Sequence, residues 1–254
     1  MLRLPTISMQ IFYGFDNISL CRPAVVSVGS FDGVHRGHRE LIERVRTMAH
    51  RLGGVSVVVS FDPHPRIAMG RSEGMRLLTT IEERALLLER MGVDVFVVAH
   101  FDEGFRQQSF DEFVRGSLVA KLGMRGMVVG YNHRLGRGNE GSYESLVPLA
   151  EELGFELERV EQFTCAGDKI SSTVVRNLFE SGCVEHACEL LGHRYVVMGK
   201  AHGGVLSVDD EHKLLPSDGE YRVKVVGGKE CVANIEGGQI FVDEALDGDI
   251  ILEF

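Results

Sequence analysis

Two histidines three residues apart, His35 and His38, stand in the run Val28-Gly29-Ser30-Phe31-Asp32-Gly33-Val34-His35-Arg36-Gly37-His38. Imidazoles flanked by Arg36 and Arg39 supply donors and positive charge of the kind that stabilises a phosphoryl group as it changes partners. Gly33 and Gly37 permit close approach of backbone to a phosphate. A His-x-x-His pair alone reads as ordinary polar surface, but the Gly-x-Phe-Asp-Gly frame before this one favours the phosphate reading. A second candidate is Ile170-Ser171-Ser172-Thr173-Val174-Val175-Arg176, where serine at a helix start caps orphan amides and Arg176 follows about one turn in. On these residues alone, a capped helix with a surface arginine and an anion site both remain open.

The elements that must position these groups are visible in the hydrophobic pattern. Ala24, Val25, Val26 and Val28 fit a buried strand, and Leu41, Ile42, Val45, Met48, Ala49 and Leu52 repeat at helical spacing. The histidine turn therefore ends at a helix amino terminus, where unpaired N–H groups and the positive end of the dipole form an anion site. Val55 to Ser60, Val93 to Ala99, Met127 to Gly130 and Phe155 to Val160 read as further strands. Capping boxes at Thr80-Ile81-Glu82-Glu83 and Ser109-Phe110-Asp111-Glu112 open helices running to Met91 and to about Leu122, and Tyr143 to Leu153 is another helix. Alternation of this kind predicts an α/β fold, a Rossmann-like doubly wound parallel sheet with its ligand crevice beyond the carboxyl ends of the strands.

These motifs resemble the nucleotidylyltransferase superfamily, whose His-x-Gly-His is met by His35, Arg36, Gly37 and His38. The fuller turn is similar to that of one branch, the bacterial FAD synthetases, usually fused to a riboflavin kinase. Phe61-Asp62-Pro63-His64-Pro65, Val129-Gly130-Tyr131-Asn132-His133-Arg134-Leu135-Gly136 and Ile170 to Arg176 match three more motifs of that branch in order, over about residues 24 to 182. The resemblance implies AMP transfer from ATP to FMN, giving FAD and pyrophosphate, with Mg2+ accompanying ATP. It implies His35, His38 and Arg176 as catalytic groups. Gly29, Ser30, Phe31, Gly37, Ser171, Ser172 and Thr173 would bind ATP, while Pro63, His64, Pro65 and Asn132 would contact flavin. His133 and Leu135 stand where phenylalanine is common in that branch, and Asp32 either holds the turn or approaches the metal.

Composition bounds the remaining classes. A net charge of −10 in 254 residues argues against a general nucleic-acid binder. The cations that meet a phosphate must be gathered locally, as Arg36, Arg39, Arg134, Arg137, Lys169 and Arg176 are in the motifs. Five cysteines without a Cys-x-x-Cys pair point to reduced thiols, and no apolar stretch spans a bilayer, so a cytoplasmic protein is expected. The amino terminus has arginine and proline but no signal-peptide core.

The tail departs most from the branch. Leu191 to Lys200 and Leu214 to Tyr221 resemble parts of the riboflavin kinase barrel, yet only Val205 to Lys213 bridges the place where that barrel carries its Gly-rich loop and Pro-Thr-Ala-Asn. We therefore expect an adenylyltransferase domain over 1–188 and, over 189–254, a small, reduced β-barrel or meander with turns at Gly227-Gly228 and Gly237-Gly238 and no kinase activity. Two other readings stay open: an adenylyltransferase for a different phosphorylated acceptor, and a flavin- or nucleotide-binding regulator without catalysis.

Overall fold

The computed structural model describes residues 8–70, 74–165 and 168–254; the amino-terminal Arg3 and Pro5 and the side chain of Lys169 lie outside that description. The chain runs β1 (Gln10–Tyr13), β2 (Ala24–Val28), α1 (Arg36–Arg51), β3 (Val55–Asp62), α2 (Pro65–Ala68), α3 (Ile81–Arg90), β4 (Val95–His100), α4 (Glu103–Gln107), α5 (Phe110–Glu112), β5 (Met124–Gly130), α6 (Tyr143–Leu153) and β6 (Glu156–Val160). These strands form a six-stranded sheet in the order β1-β4-β3-β2-β5-β6, and each neighbouring pair is parallel. All five residues of β2 are buried, as expected for a central strand covered on both faces. From β2 the chain winds outward through β3 and β4, then returns to β5 on the other side. The reversal leaves a crevice at the carboxyl ends of β2 and β5, which is where ligands bind in doubly wound sheets.

Most boundaries follow the sequence pattern, and two differences have physical causes. β1, with Ile11, Phe12 and Tyr13, was not among the strands expected from the sequence; it pairs with β4 at the sheet edge. The helix expected from Phe110 begins with its capping box but continues as a π-helix over Phe113–Lys121, so that Leu122 N–H reaches the Ser117 carbonyl at 3.2 Å. That wider winding buries Phe113, Val114, Ser117 and Leu118.

Beyond the sheet come a short hairpin, β7 (Thr164–Cys165) and β8 (Asp168–Lys169), and then α7 (Ser172–Glu180) and α8 (Val184–Leu191). Six antiparallel strands follow, β9 (Val196–His202), β10 (Val205–Ser207), β11 (Gly219–Val225), β12 (Glu230–Glu236), β13 (Gln239–Val242) and β14 (Gly248–Glu253), and they close into a barrel. Gly237 and Gly238, at φ +58° and +78°, make the left-handed turn that two strands joined by two residues require. Of the barrel and meander alternatives, the closed barrel is the outcome. Val175 and Phe179 of α7 and Ala187 and Leu191 of α8 share one apolar cluster with Tyr195, Val197, Val223 and Leu252 of the barrel. The division at residue 188 consequently falls inside α8. Among the described residues no helix is long and apolar enough to cross a membrane.

Candidate functional site

The crevice at the strand ends opens into a cavity of about 400 Å³ that gathers four separate stretches of sequence. Gly29, Ser30, Phe31, His35, Gly37 and His38 enter from the turn between β2 and α1, and Asn132 from the loop after β5. His64 comes from the start of α2, and Ser171, Ser172, Thr173 and Arg176 from α7. Pro65 lines an adjoining cavity of about 350 Å³ instead, and Pro63 lines neither. The two spaces share Val28, Gly29 and Arg134.

His35 is the N-cap of α1, its Nδ1 accepting from the His38 N–H at 3.3 Å. That acceptor role puts the imidazole proton on Nε2, where it remains a donor. The two rings stack with centroids 3.7 Å apart, and burial pushes His35 down to about 4 and His38 well below the usual histidine range. Both are neutral donors in this state, not cations. His64 is likewise pushed down to about 4 by burial, and its Nδ1 accepts from the Arg66 N–H at 3.2 Å. On the opposite wall Ser171 caps α7 by accepting from Val174 N–H at 3.3 Å, so a second helix amino terminus faces the cavity.

The turn is strained and held from several sides. Phe31, Gly33 and Val34 all have positive φ, 49°, 78° and 41°, and for a β-branched valine this is an outlier costing on the order of 1 to 3 kcal/mol. Fully buried Asp32 resolves the choice left open for it: its Oδ2 accepts from Arg176 Nη2 at 2.9 Å, and its Oδ1 from Thr79 N–H at 3.0 Å. Burial would raise its pKa, but Arg84 and Arg176 overcome that and hold the carboxyl below the ordinary range. Ser172 Oγ donates to the Asp32 carbonyl at 2.9 Å, which ties α7 to the turn. Arg84 Nη1 donates to Ser60 Oγ at 2.8 Å, which donates to the Ser30 carbonyl at 2.8 Å. Gly33, read as a phosphate approach, points elsewhere: a Cβ there would lie 2.6 Å from Leu78 Cδ1, so its role is packing.

Unsatisfied hydrogen-bonding groups concentrate here. Of the buried side-chain atoms without a partner among the described residues, His38 Nδ1, His133 Nε2 and Arg176 Nε all belong to residues lining this one cavity. Buried orphans of this kind are rare and mark places where a ligand completes the network.

The adjoining cavity has the opposite character. Phe61, Phe101 and Phe105 ring it with centroids 5.6 Å apart, joined by Pro65, Met69 and Leu135. Phe101 and Phe105 were not among the expected site residues; phenylalanines four apart just past a strand end were the available signal. They supply the aromatic surface that His133 and Leu135 do not. The pair of spaces can therefore hold a polyanion and a flat apolar ring system side by side.

Residues 18–174 match the family model described as FAD synthetase. The bifunctional riboflavin kinase/FMN adenylyltransferase of Listeria monocytogenes is 34% identical over 212 residues, covering 79% of this chain and 67% of that protein. The protein of the same description from Escherichia coli K12 is 30% identical over 231 residues, covering 86% of this chain and 74% of its own length. The crystal structure of a macrolide-efflux protein from Streptococcus pneumoniae superposes with a TM-score of 0.82 at 22% identity, covering 97% of this chain and 90% of that one. At that identity it speaks for the fold alone.

Proposed function

Because the chain belongs to the FAD synthetase family, we propose that it transfers AMP from ATP to FMN, releasing pyrophosphate and forming FAD. The observation that carries this reading is the junction of a polar cavity facing two helix amino ends with an aromatic cavity beside it. A phosphate oxygen of FMN attacks the α-phosphorus of ATP, the bond to the bridging oxygen breaks, and pyrophosphate leaves with that electron pair. The protein contributes alignment and charge stabilisation, and no protein nucleophile is required.

His35 Nε2–H and the imidazole of His38 donate to the triphosphate oxygens as charge builds on the leaving group. An incoming polyanion favours their protonated forms and so opposes the lowering of their pKa values by burial. The amides at the start of α7 bind the phosphate chain from the other side, and Arg176, fixed by Asp32, presents its unpartnered Nε to the cavity. Asn132 and Arg134 stand at the junction, suited to the FMN phosphate, and the isoalloxazine lies against Phe101, Phe105 and Pro65. Mg2+ enters as part of the MgATP substrate, held chiefly by the phosphate oxygens.

We infer that the barrel does not phosphorylate riboflavin, and we place the enzyme in the cytoplasm, consistent with its free thiols. The test is incubation of the purified chain with MgATP and FMN, then with MgATP and riboflavin, followed by chromatography. FAD and pyrophosphate in equal amounts from the first, and no FMN from the second, are expected. Absence of FAD contradicts the adenylyl transfer, and stoichiometric FMN contradicts the loss of kinase activity.

A further inference from the structure

We propose that the barrel is a positioning element of the adenylyl site, acting through Lys213 and the loop at residues 77–80 that it grips. This rests on the function proposed above and assigns the reduced tail a task within it. Lys213 lies between β10 and β11, in the segment that stands where a kinase loop is absent, and it is 4% exposed. Its ammonium donates to the Leu78 carbonyl at 2.8 Å, the Val196 carbonyl at 2.8 Å and Glu83 Oε2 at 2.6 Å, which uses all three of its donors. Glu83 in turn accepts from Met198 N–H on β9 at 2.8 Å and from Thr80 N–H, the N-cap of α3, at 2.9 Å. Around this pair, Leu77 N–H donates to the His212 carbonyl at 2.6 Å and Leu214 N–H to the Leu77 carbonyl at 2.7 Å.

The far side of the same loop holds the phosphate turn. Thr79, next to the carbonyl that Lys213 fixes, donates N–H and Oγ1–H to Asp32 Oδ1 at 3.0 and 3.2 Å. Its Oγ1 also accepts from Gly33 N–H at 3.1 Å. His193, at the entry to the barrel, sets Nε2 3.0 Å from the Gly33 carbonyl. Every link from Lys213 to Asp32 is a direct contact or a peptide bond between neighbouring groups, and Asp32 orients Arg176.

Two features separate positioning from simple attachment. A buried ion pair is a poor way to join two domains, since apolar side chains of similar volume do as well or better, whereas an ammonium with three directed donors fixes where a carbonyl points. The turn it supports carries positive φ at Phe31, Gly33 and Val34, a geometry that persists only when its surroundings over-determine it.

The test compares wild type, Lys213→Met and the double variant Lys213→Met/Glu83→Gln. The single variant leaves Glu83 buried without its cation and loses thermal stability; the double variant removes that charge and recovers it. In the double variant, ligand-free hydrogen exchange at the Gly33 and Thr79 amides should be at least tenfold faster, with β3 and β5 unchanged. FAD formation should fall about tenfold in kcat while FMN affinity stays within twofold, because the strap does not touch the aromatic cavity. Wild-type exchange at those amides, or wild-type kcat, overturns the proposal. Should the double variant fail to fold, Thr79→Val removes the hydroxyl that links the loop to Asp32 and Gly33 on the cleft side, and its kcat decides in the same way. A wild-type chain that makes no FAD contradicts the functional reading alone, since the exchange comparison needs no substrate.

Discussion

The cleft and the barrel treat buried polar groups in opposite ways. In the cleft, His38 Nδ1, His133 Nε2 and Arg176 Nε are buried without partners, while in the barrel Lys213 satisfies all its donors and Tyr195 Oη donates to the Leu214 carbonyl at 2.6 Å. Unmade hydrogen bonds cost stability and are retained where a ligand completes them; completed ones define a support. The difference separates the part of the chain that binds from the part that holds it in shape. Substitutions should accordingly divide into those that lower activity with the fold intact and those that lower stability first.

The largest effect of a single substitution is expected in the barrel. Lys213→Met leaves Glu83 buried and unpaired, and chemical denaturation should show a loss of about 3 to 5 kcal/mol. A loss below about 1 kcal/mol would mean that the pair is solvated and the barrel is not the rigid partner. Next comes His38→Ala, which removes a donor at the leaving group. If it behaves as an oxyanion-hole group, about 3 to 4 kcal/mol of transition-state stabilisation disappears, so kcat falls a hundredfold or more at an unchanged Tm. Near-normal turnover removes it from the mechanism.

Acid should weaken the cleft. His35, His64 and His133 are held near 4 by burial, whereas in the unfolded chain they titrate near 6.5. Between those values the unfolded state binds the extra protons, so stability is full above about pH 6.5 and declines as pH falls toward 4. Each group contributes roughly 3 kcal/mol across that window. Urea midpoints at pH 7.5, 6 and 5 check the sign, and a flat profile contradicts the assigned burial. The smallest effect is His133→Phe, which replaces an unpartnered imidazole by a ring. Stability should rise by about 1 kcal/mol while kcat/KM for FAD formation drops five- to tenfold; a rise in both would show that His133 meets no substrate.

Much of the cleft was legible because its parts are local. The turn with His35 and His38, the caps at Thr80, Ser109 and Ser171, and the valine-rich strands each lie within a few residues of sequence. What escaped was non-local. Glu83 was expected only as the capping-box residue of α3, and nothing near it or Arg84 announces Lys213 or Asp32 as partners. Phe101 and Phe105 belong to no motif and matter only because β4 ends beside β3. Closure of the barrel depends on β14 pairing with β9 across about fifty residues, a register that alternation within either strand does not reveal. Gly33 was read as a place for a phosphate to approach, whereas close packing against Leu78 is what excludes a side chain there.

The most direct measurement is a crystal structure of the chain with Mg2+ and a non-hydrolysable ATP analogue. The account predicts the triphosphate between the amino ends of α1 and α7, within hydrogen-bond distance of His38 and the Ser171–Thr173 segment, with the aromatic cavity left open for FMN. A triphosphate seated on the barrel, or one in the cleft that leaves His38 unpartnered, contradicts it.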